Sequence, residues 1–405
     1  MQTLHDYPLR ASSLSALDAM QIRIPTPIQT KTIPPLLEGR DVIGQAYTGS
    51  GKTLAFGLPL VEHVDGRLQH LQALVLCPTR ELAQQVGGVI AQLVAGTDIR
   101  STAVFGGRAF GPQQDAMQHA QVVVGTCGRI LDHANRGTIR LDRVKFLVLD
   151  EADEMLDRGF GPDVERIIKL MPEKRQTALF SATTPDWVHR VSAKYLHDPV
   201  VIQSAPDEDD VPDIDHVVYE VFGGNKFAVL CQLLDEPTAG ASLVFRRTKR
   251  GVRNLTARLH RMGYPVEGLQ GDLPQQQRDR VLGKFRGGKT SILVATNVAA
   301  RGLDVLHIER VINYDVPDTH ELFTHRVGRT GRMGRSGLAI TLLGATDLSK
   351  WHEIERGLDR KLPRMNTNGE IVLPDPPTQA SDSKRNGRRT FGQIRPRSRS
   401  RAGRR

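Results

Sequence analysis

A chain of 405 residues, 39% of them apolar, is long enough for two ordinary domain cores, yet nowhere approaches the ~20 consecutive apolar residues of a membrane span. Its three cysteines, Cys77, Cys127 and Cys231, are too scattered for a disulfide framework or a zinc site. The net charge of +10 suggests a polyanionic partner, but ten of the 55 Lys and Arg lie between Lys384 and Arg405, a stretch without an acid, so the remainder is neutral and must recognise nucleic acid through local contacts.

Met1 to Leu14 lacks the apolar core of a signal peptide, so the expected location is the cytoplasm, with no membrane partner. From Gly39 to Leu196 short apolar runs alternate with helical patterns. Strands are expected at Asp41–Ile43, Ala73–Cys77, Gln121–Gly125, Lys145–Leu149 and Thr177–Phe180. An acidic, proline-bearing stretch from Ala205 to Asp213 then reads as a linker. A second series comes after it, with strands expected at Val217–Tyr219, Ser242–Phe245, Ser291–Ala295, Arg310–Asn313 and Leu338–Leu343. The fold class is α/β, with two tandem domains, each a parallel sheet flanked by helices. Their expected bounds are 1–205 and 215–364, with a linker over 206–214. Residues 365–405, ending in the run Arg-Pro-Arg-Ser-Arg-Ser-Arg, read as a disordered basic tail.

Three elements carry chemistry. Ala46-Tyr-Thr-Gly-Ser-Gly-Lys-Thr53 lies between a strand and a helix, the setting of a phosphate-binding loop. Gly49 and Gly51 let backbone N–H groups turn toward phosphate oxygens, Lys52 reaches the β/γ-phosphates, and the Thr53 hydroxyl can ligate Mg²⁺. The strict fingerprint has Gly where Ala46 stands, which leaves a plain glycine turn as an alternative. Asp150-Glu-Ala-Asp153 ends an apolar strand: Asp150 can hold Mg²⁺ and Glu151 can orient or deprotonate water, unless these acids only cap the next helix. His325-Arg-Val-Gly-Arg-Thr-Gly-Arg332 spaces three arginines three residues apart, able to pair phosphate oxygens from a second domain or, alternatively, to contact RNA.

In this order across two domains, these elements resemble the DEAD-box family of superfamily 2 RNA helicases, whose domains are RecA-like. Pro25-Thr-Pro-Ile-Gln29 resembles the family's adenine-reading element, and Ser181-Ala-Thr183 the motif that links hydrolysis to unwinding. Pro78-Thr-Arg-Glu-Leu-Ala83, Gly106-Gly107 and Thr126-Cys-Gly-Arg129 resemble its RNA contacts in the first domain. Val244-Phe-Arg-Arg-Thr248, Gln275-Gln-Gln-Arg278 and Thr296 to Asp304 fall in family order in the second.

The resemblance implies an ATP hydrolase that unwinds or remodels RNA with ATP and Mg²⁺, acting as a monomer. Catalysis would fall to Lys52, Asp150, Glu151, Arg329 and Arg332. ATP would be held by Gln29, by Ala46, Tyr47, Thr48, Gly49, Ser50, Gly51, Lys52 and Thr53, and by Asp304 at the ribose. Coupling would run through Asp153, Ser181, Ala182, Thr183, His325 and Arg326, and RNA backbone would lie along Arg80, Gly107, Thr126, Arg129, Thr248 and Thr296. A glutamine amide suits the adenine edge, so Gln29 would favour ATP over GTP. Leu4 stands where the family has an aromatic, Tyr47 replaces a Gln, Cys127 a Pro and Asn297 an Asp. None of these departures removes a catalytic group. An ATP-gated RNA clamp and a DNA-directed helicase are the competing readings.

Overall fold

The computed structural model describes residues 3–46, 49–183, 186–203, 214–238, 240–300, 307–331, 336–366 and 371–372. The first domain is built on seven strands: β1 (Val42–Gln45), β2 (Ala73–Cys77), β3 (Ser101–Val104), β4 (Val122–Thr126), β5 (Phe146–Leu149), β6 (Gln176–Ser181) and β7 (Val200–Gln203). They pair in the order β3-β4-β2-β5-β6-β1-β7, all parallel. Burial on both faces explains the run of apolar residues in the central strands. Successive residues of β2 feed opposite layers: Ala73, Val75 and Cys77 enter one core, Leu74 and Leu76 the other. Each large apolar side chain so buried contributes about 1.5–3 kcal/mol on leaving water.

The second sheet holds β8 (Ile214–Glu220), β9 (Ala241–Arg246), β10 (Val266–Leu269), β11 (Ile292–Thr296), β12 (Ile308–Asn313), β13 (Gly337–Leu343), β14 (Arg364–Asn366) and β15 (Ile371–Val372). Its order is β10-β11-β9-β12-β13-β8-β14-β15, parallel except for the antiparallel β14–β15 pair. The result is two RecA-like sheets flanked by helices, as expected. Strand β14 begins at residue 364, the expected end of the second domain, and β15 carries the sheet further. It is fastened there by Arg364, whose buried guanidinium donates to Glu355 Oε2 at 3.0 Å and to Glu220 Oε1 at 3.2 Å. The linker expected at 206–214 lies outside the described residues except for Ile214, as does the tail beyond residue 372.

A parallel sheet brings the C-terminal ends of its strands to one edge, where ligands bind in α/β folds. In the first domain that edge is divided. Strands β5, β6 and β1 lead into the Asp150, Ser181 and Ala46 segments, while β3, β4 and β2 lead into the Gly106, Thr126 and Arg80 segments.

Candidate functional site

Beyond β1 the chain turns through Gly49 and Gly51, both left-handed at φ +94° and +92°, and enters the helix Lys52–His63. Glycine is required at Gly51 for a second reason: a Cβ there would sit 2.5 Å from Gln29 Nε2. That amide donates to Gly51 O at 3.0 Å, and Gln29 Oε1 accepts from Thr26 N at 3.0 Å, so the glutamine ties its own helix start to the loop. One donor hydrogen and one acceptor lone pair stay available for an adenine edge. Lys52 is buried and donates from Nζ to Ala46 O at 3.1 Å, spanning the mouth of the loop. Ala46 is itself fixed by its N–H to Ser181 O at 3.0 Å, Ser50 is buried and Thr53 half-buried. Tyr47 and Thr48 lie outside the described residues.

Asp150 directly follows β5 and is only 2% exposed, and among the described residues its Oδ1 has no hydrogen-bond partner. Burial pushes its carboxyl up to about 7, against the opposing pull of Lys52. A buried carboxylate oxygen without a partner, beside a phosphate loop that carries the Thr53 hydroxyl, fits a hard cation such as magnesium. Glu151 is buried and held at φ +53°, a left-handed conformation unusual for a side chain of its size and of the kind found at functional sites.

Asp153 is turned toward the Ser181–Thr183 segment. Its Oδ2 accepts from Ala182 N at 3.2 Å, Thr183 N at 2.9 Å and Thr183 Oγ1 at 3.0 Å, while Asp153 N donates to Ser181 Oγ at 3.2 Å. From the second domain His325 Nε2 stands 3.9 Å from the same Asp153 Oδ2. Residues of the two domains expected to couple them therefore meet on a single carboxylate.

The helix His320–Val327 carries His325 and Arg326 and stops at Gly328. Arg326 is buried over the Phe245 ring and donates to Asn297 Oδ1 at 2.7 Å, Asn313 Oδ1 at 2.9 Å and Asp315 O at 2.7 Å. Asn297, one of the departures from the family pattern, thus supplies a neutral acceptor to that guanidinium. Arg329 is buried just past the helix and donates from Nε to His325 O at 3.3 Å. Arg332 and Asp304 lie outside the described residues.

The residues expected along RNA gather at the other half of each sheet edge. Arg80 opens the helix Arg80–Leu93 and lies against Gly107, which is left-handed at φ +82°. Thr126 and Arg129 open the helix Cys127–Asn135, with Arg129 donating to Arg108 O at 3.3 Å. Across the cleft Thr248 caps the helix Lys249–Arg261 by accepting from Gly251 N at 2.9 Å, and Thr296 ends β11, buried.

Sequence reasoning passes over how the cleft is held shut. Arg278 donates from both Nε and Nη2 to Glu81 Oε1, at 2.8 and 2.6 Å, with both side chains buried. Beside it Arg80 Nη1 donates to Gln275 Oε1 at 2.9 Å, and Arg108 Nη2 to Asp279 Oδ2 at 3.3 Å. Arg158, paired with Glu154 at 2.5 Å, donates to Val298 O at 2.9 Å. The Gln275-Gln-Gln-Arg278 segment is recognisable by family order, but nothing in the sequence identifies Glu81 as its partner.

Residues 26–191 match the DEAD/DEAH box helicase family and residues 225–334 the helicase conserved C-terminal domain. The chain is 45% identical over 366 residues, 90% of its length and 78% of the relative's, to the DEAD-box ATP-dependent RNA helicase CshA of Geobacillus kaustophilus. Among solved structures it resembles S. cerevisiae Dbp5 bound to RNA and ADP BeF3, with 33% identity, a TM-score of 0.84, and coverage of 91% of this chain and 96% of that one. A DEAD box protein from the hyperthermophile Methanococcus jannaschii is 38% identical over 90% of this chain and 99% of its own, with a TM-score of 0.53.

Proposed function

Since the chain belongs to the DEAD/DEAH box helicase family and is an ATP-dependent, ATP-hydrolysing RNA helicase, we propose that it hydrolyses ATP in a pocket completed by both domains and uses closure of the cleft to separate RNA duplexes locally. The observation that carries this reading is the meeting of Asp153, the Ser181–Thr183 segment and His325 on one carboxylate, beside Lys52 and Asp150. Lys52 and the N–H groups of the loop bind the triphosphate. Asp150 and Thr53 would hold a magnesium ion, which would supply positive charge beside the phosphates. Glu151 orients the attacking water, and Arg329 and Arg332 stabilise charge on the γ-phosphoryl group. Gln29 and Asp304 hold adenine and ribose.

Arg80, Gly107, Thr126, Arg129, Thr248 and Thr296 grip the backbone of a single strand. Backbone contacts carry no base identity, so RNA choice rests on other elements, the arginine-rich tail among them. The higher overlap with the RNA-bound relative supports a closed arrangement like that of a strand-gripping state. We place the protein in the cytoplasm as a monomer.

The test is nucleotide turnover with RNA and with DNA of the same sequence, in the parent and in Lys52→Ala. RNA-specific stimulation, lost by at least about a hundredfold in Lys52→Ala, is expected. Equal stimulation by DNA would favour a DNA-directed enzyme. Single-turnover strand separation that is as fast in Glu151→Gln as in the parent would favour a clamp for which hydrolysis is dispensable.

A further inference from the structure

The helix Lys249–Arg261 begins one residue past Thr248; its sequence, KRGVRNLTARLHR, is rich in Lys and Arg and holds no acid. Val252, Leu255 and Leu259 are buried against the sheet. At 100° per residue the opposite face presents Arg250, Arg253, Asn254, Ala257 and Arg261, all exposed. Lys249 is paired with Asp272, and Arg258 stacks on the Phe227 ring at 3.5 Å. Among the described residues Arg250 and Arg253 meet neither a carboxylate nor another acceptor. Arg250 also lies in the first turn, which holds no acid, and there the helix dipole disfavours a cation. An arrangement that costs the isolated helix stability is explained if an anion lies against it.

We infer that this face is a second RNA surface: a cationic ridge, about 16 Å long from Arg250 to Arg261, that takes the sugar–phosphate backbone of RNA continuing past the strand gripped in the cleft. Two observations fix the occupant. The ridge is continuous with the cleft track through Thr248, and its charge is of one sign with no interspersed acid, which suits a polyanion. Arg250 and Arg253 stand about one turn apart, about 4.5 Å along the axis, so both can meet the phosphates of a backbone running alongside, with Arg261 about 12 Å further on. The inference rests on the RNA-helicase reading and extends it from one bound strand to the flanking arm, so the domain that completes the ATP pocket also orients the substrate.

The experiment compares the full-length protein with Arg250→Glu/Arg253→Glu, residues outside the cleft. RNA-stimulated ATP turnover is titrated with a strand of about ten nucleotides, enough for the cleft, and with the same strand extended by about twenty at either end. The expected result is an unchanged half-saturating concentration for the short strand and about a tenfold rise for the extended one. Its log–log salt dependence should become shallower by about 1.4, the share of two phosphates. Arg250→Lys/Arg253→Lys should keep the affinity, since charge rather than shape is read. Equal weakening of both strands would assign these arginines to the cleft, and no change with either would leave the ridge to an acidic protein partner; either result overturns the inference. Failure of the short strand to stimulate the parent would instead sink the underlying RNA reading.

Discussion

Gly107 shows how one missing side chain shapes the proposed RNA track. A Cβ there would collide with Arg80 Nη1, and its φ of +82° is strained for any L side chain. Gly107→Ala is therefore expected to push the Arg80 guanidinium off its seat, raising half-saturating RNA about tenfold while lowering stability by only about 1 kcal/mol, read from RNA-stimulated turnover and thermal melting. The Glu81–Arg278 pair makes a different prediction, because its partners belong to different domains. In a double-mutant cycle of Glu81→Ala and Arg278→Ala, a coupling of about 1–3 kcal/mol should appear in the mutual tightening of ATP and RNA and be absent from the melting of the domains. Lys52, Asp150 and Glu151 stand out as candidates in the sequence because the pattern that marks them is local, a lysine in a glycine loop and acids at a strand end. Glu81 is not, since its partner lies 197 residues away and each looks alone like an ordinary surface charge.

The elements themselves show where reading by pattern fails. Each strand expected from the sequence is present within a few residues. Those the pattern does not announce, β3, β7, β10, β14 and β15, lie at or beside the margins of their sheets. A central strand is buried on both faces and shows itself as an apolar run such as Ala73–Cys77. The margin strand β3 reads Ser-Thr-Ala-Val and is only half-buried, so no run is required of it. Strand β8 carries a testable ionisation. Burial, aided by the nearby Arg360, holds the His216 imidazole down to about 4 from an ordinary 6.5. The folded state thus binds this proton more weakly than the unfolded chain, so stability is complete above about 6.5 and drains away as pH falls toward 4. Because the ring is partly exposed, we expect a modest loss of about 1–2 kcal/mol in denaturant unfolding between pH 7 and pH 5, largely absent in His216→Gln.

At the scale of the whole molecule the proposed function has the two ligands share one closed state. ATP and RNA should each tighten the other by the same factor, and titrations giving different factors would reject a common closure. A chain truncated before Lys384 should bind RNA with a shallower salt dependence, by about 0.7 in log–log slope for every phosphate the tail neutralised. In the proposed cycle the junction between the domains has to part again after hydrolysis. Among the described residues its fasteners include guanidinium groups, carboxylates and amides, Arg278 on Glu81, Arg80 on Gln275 and Arg108 on Asp279. A greasy joint would cling once the fuel was spent, because parting it would expose oily surface. Charged fasteners are welcomed by water as they separate, so this one can spring apart, release spent nucleotide and strand, and begin another cycle.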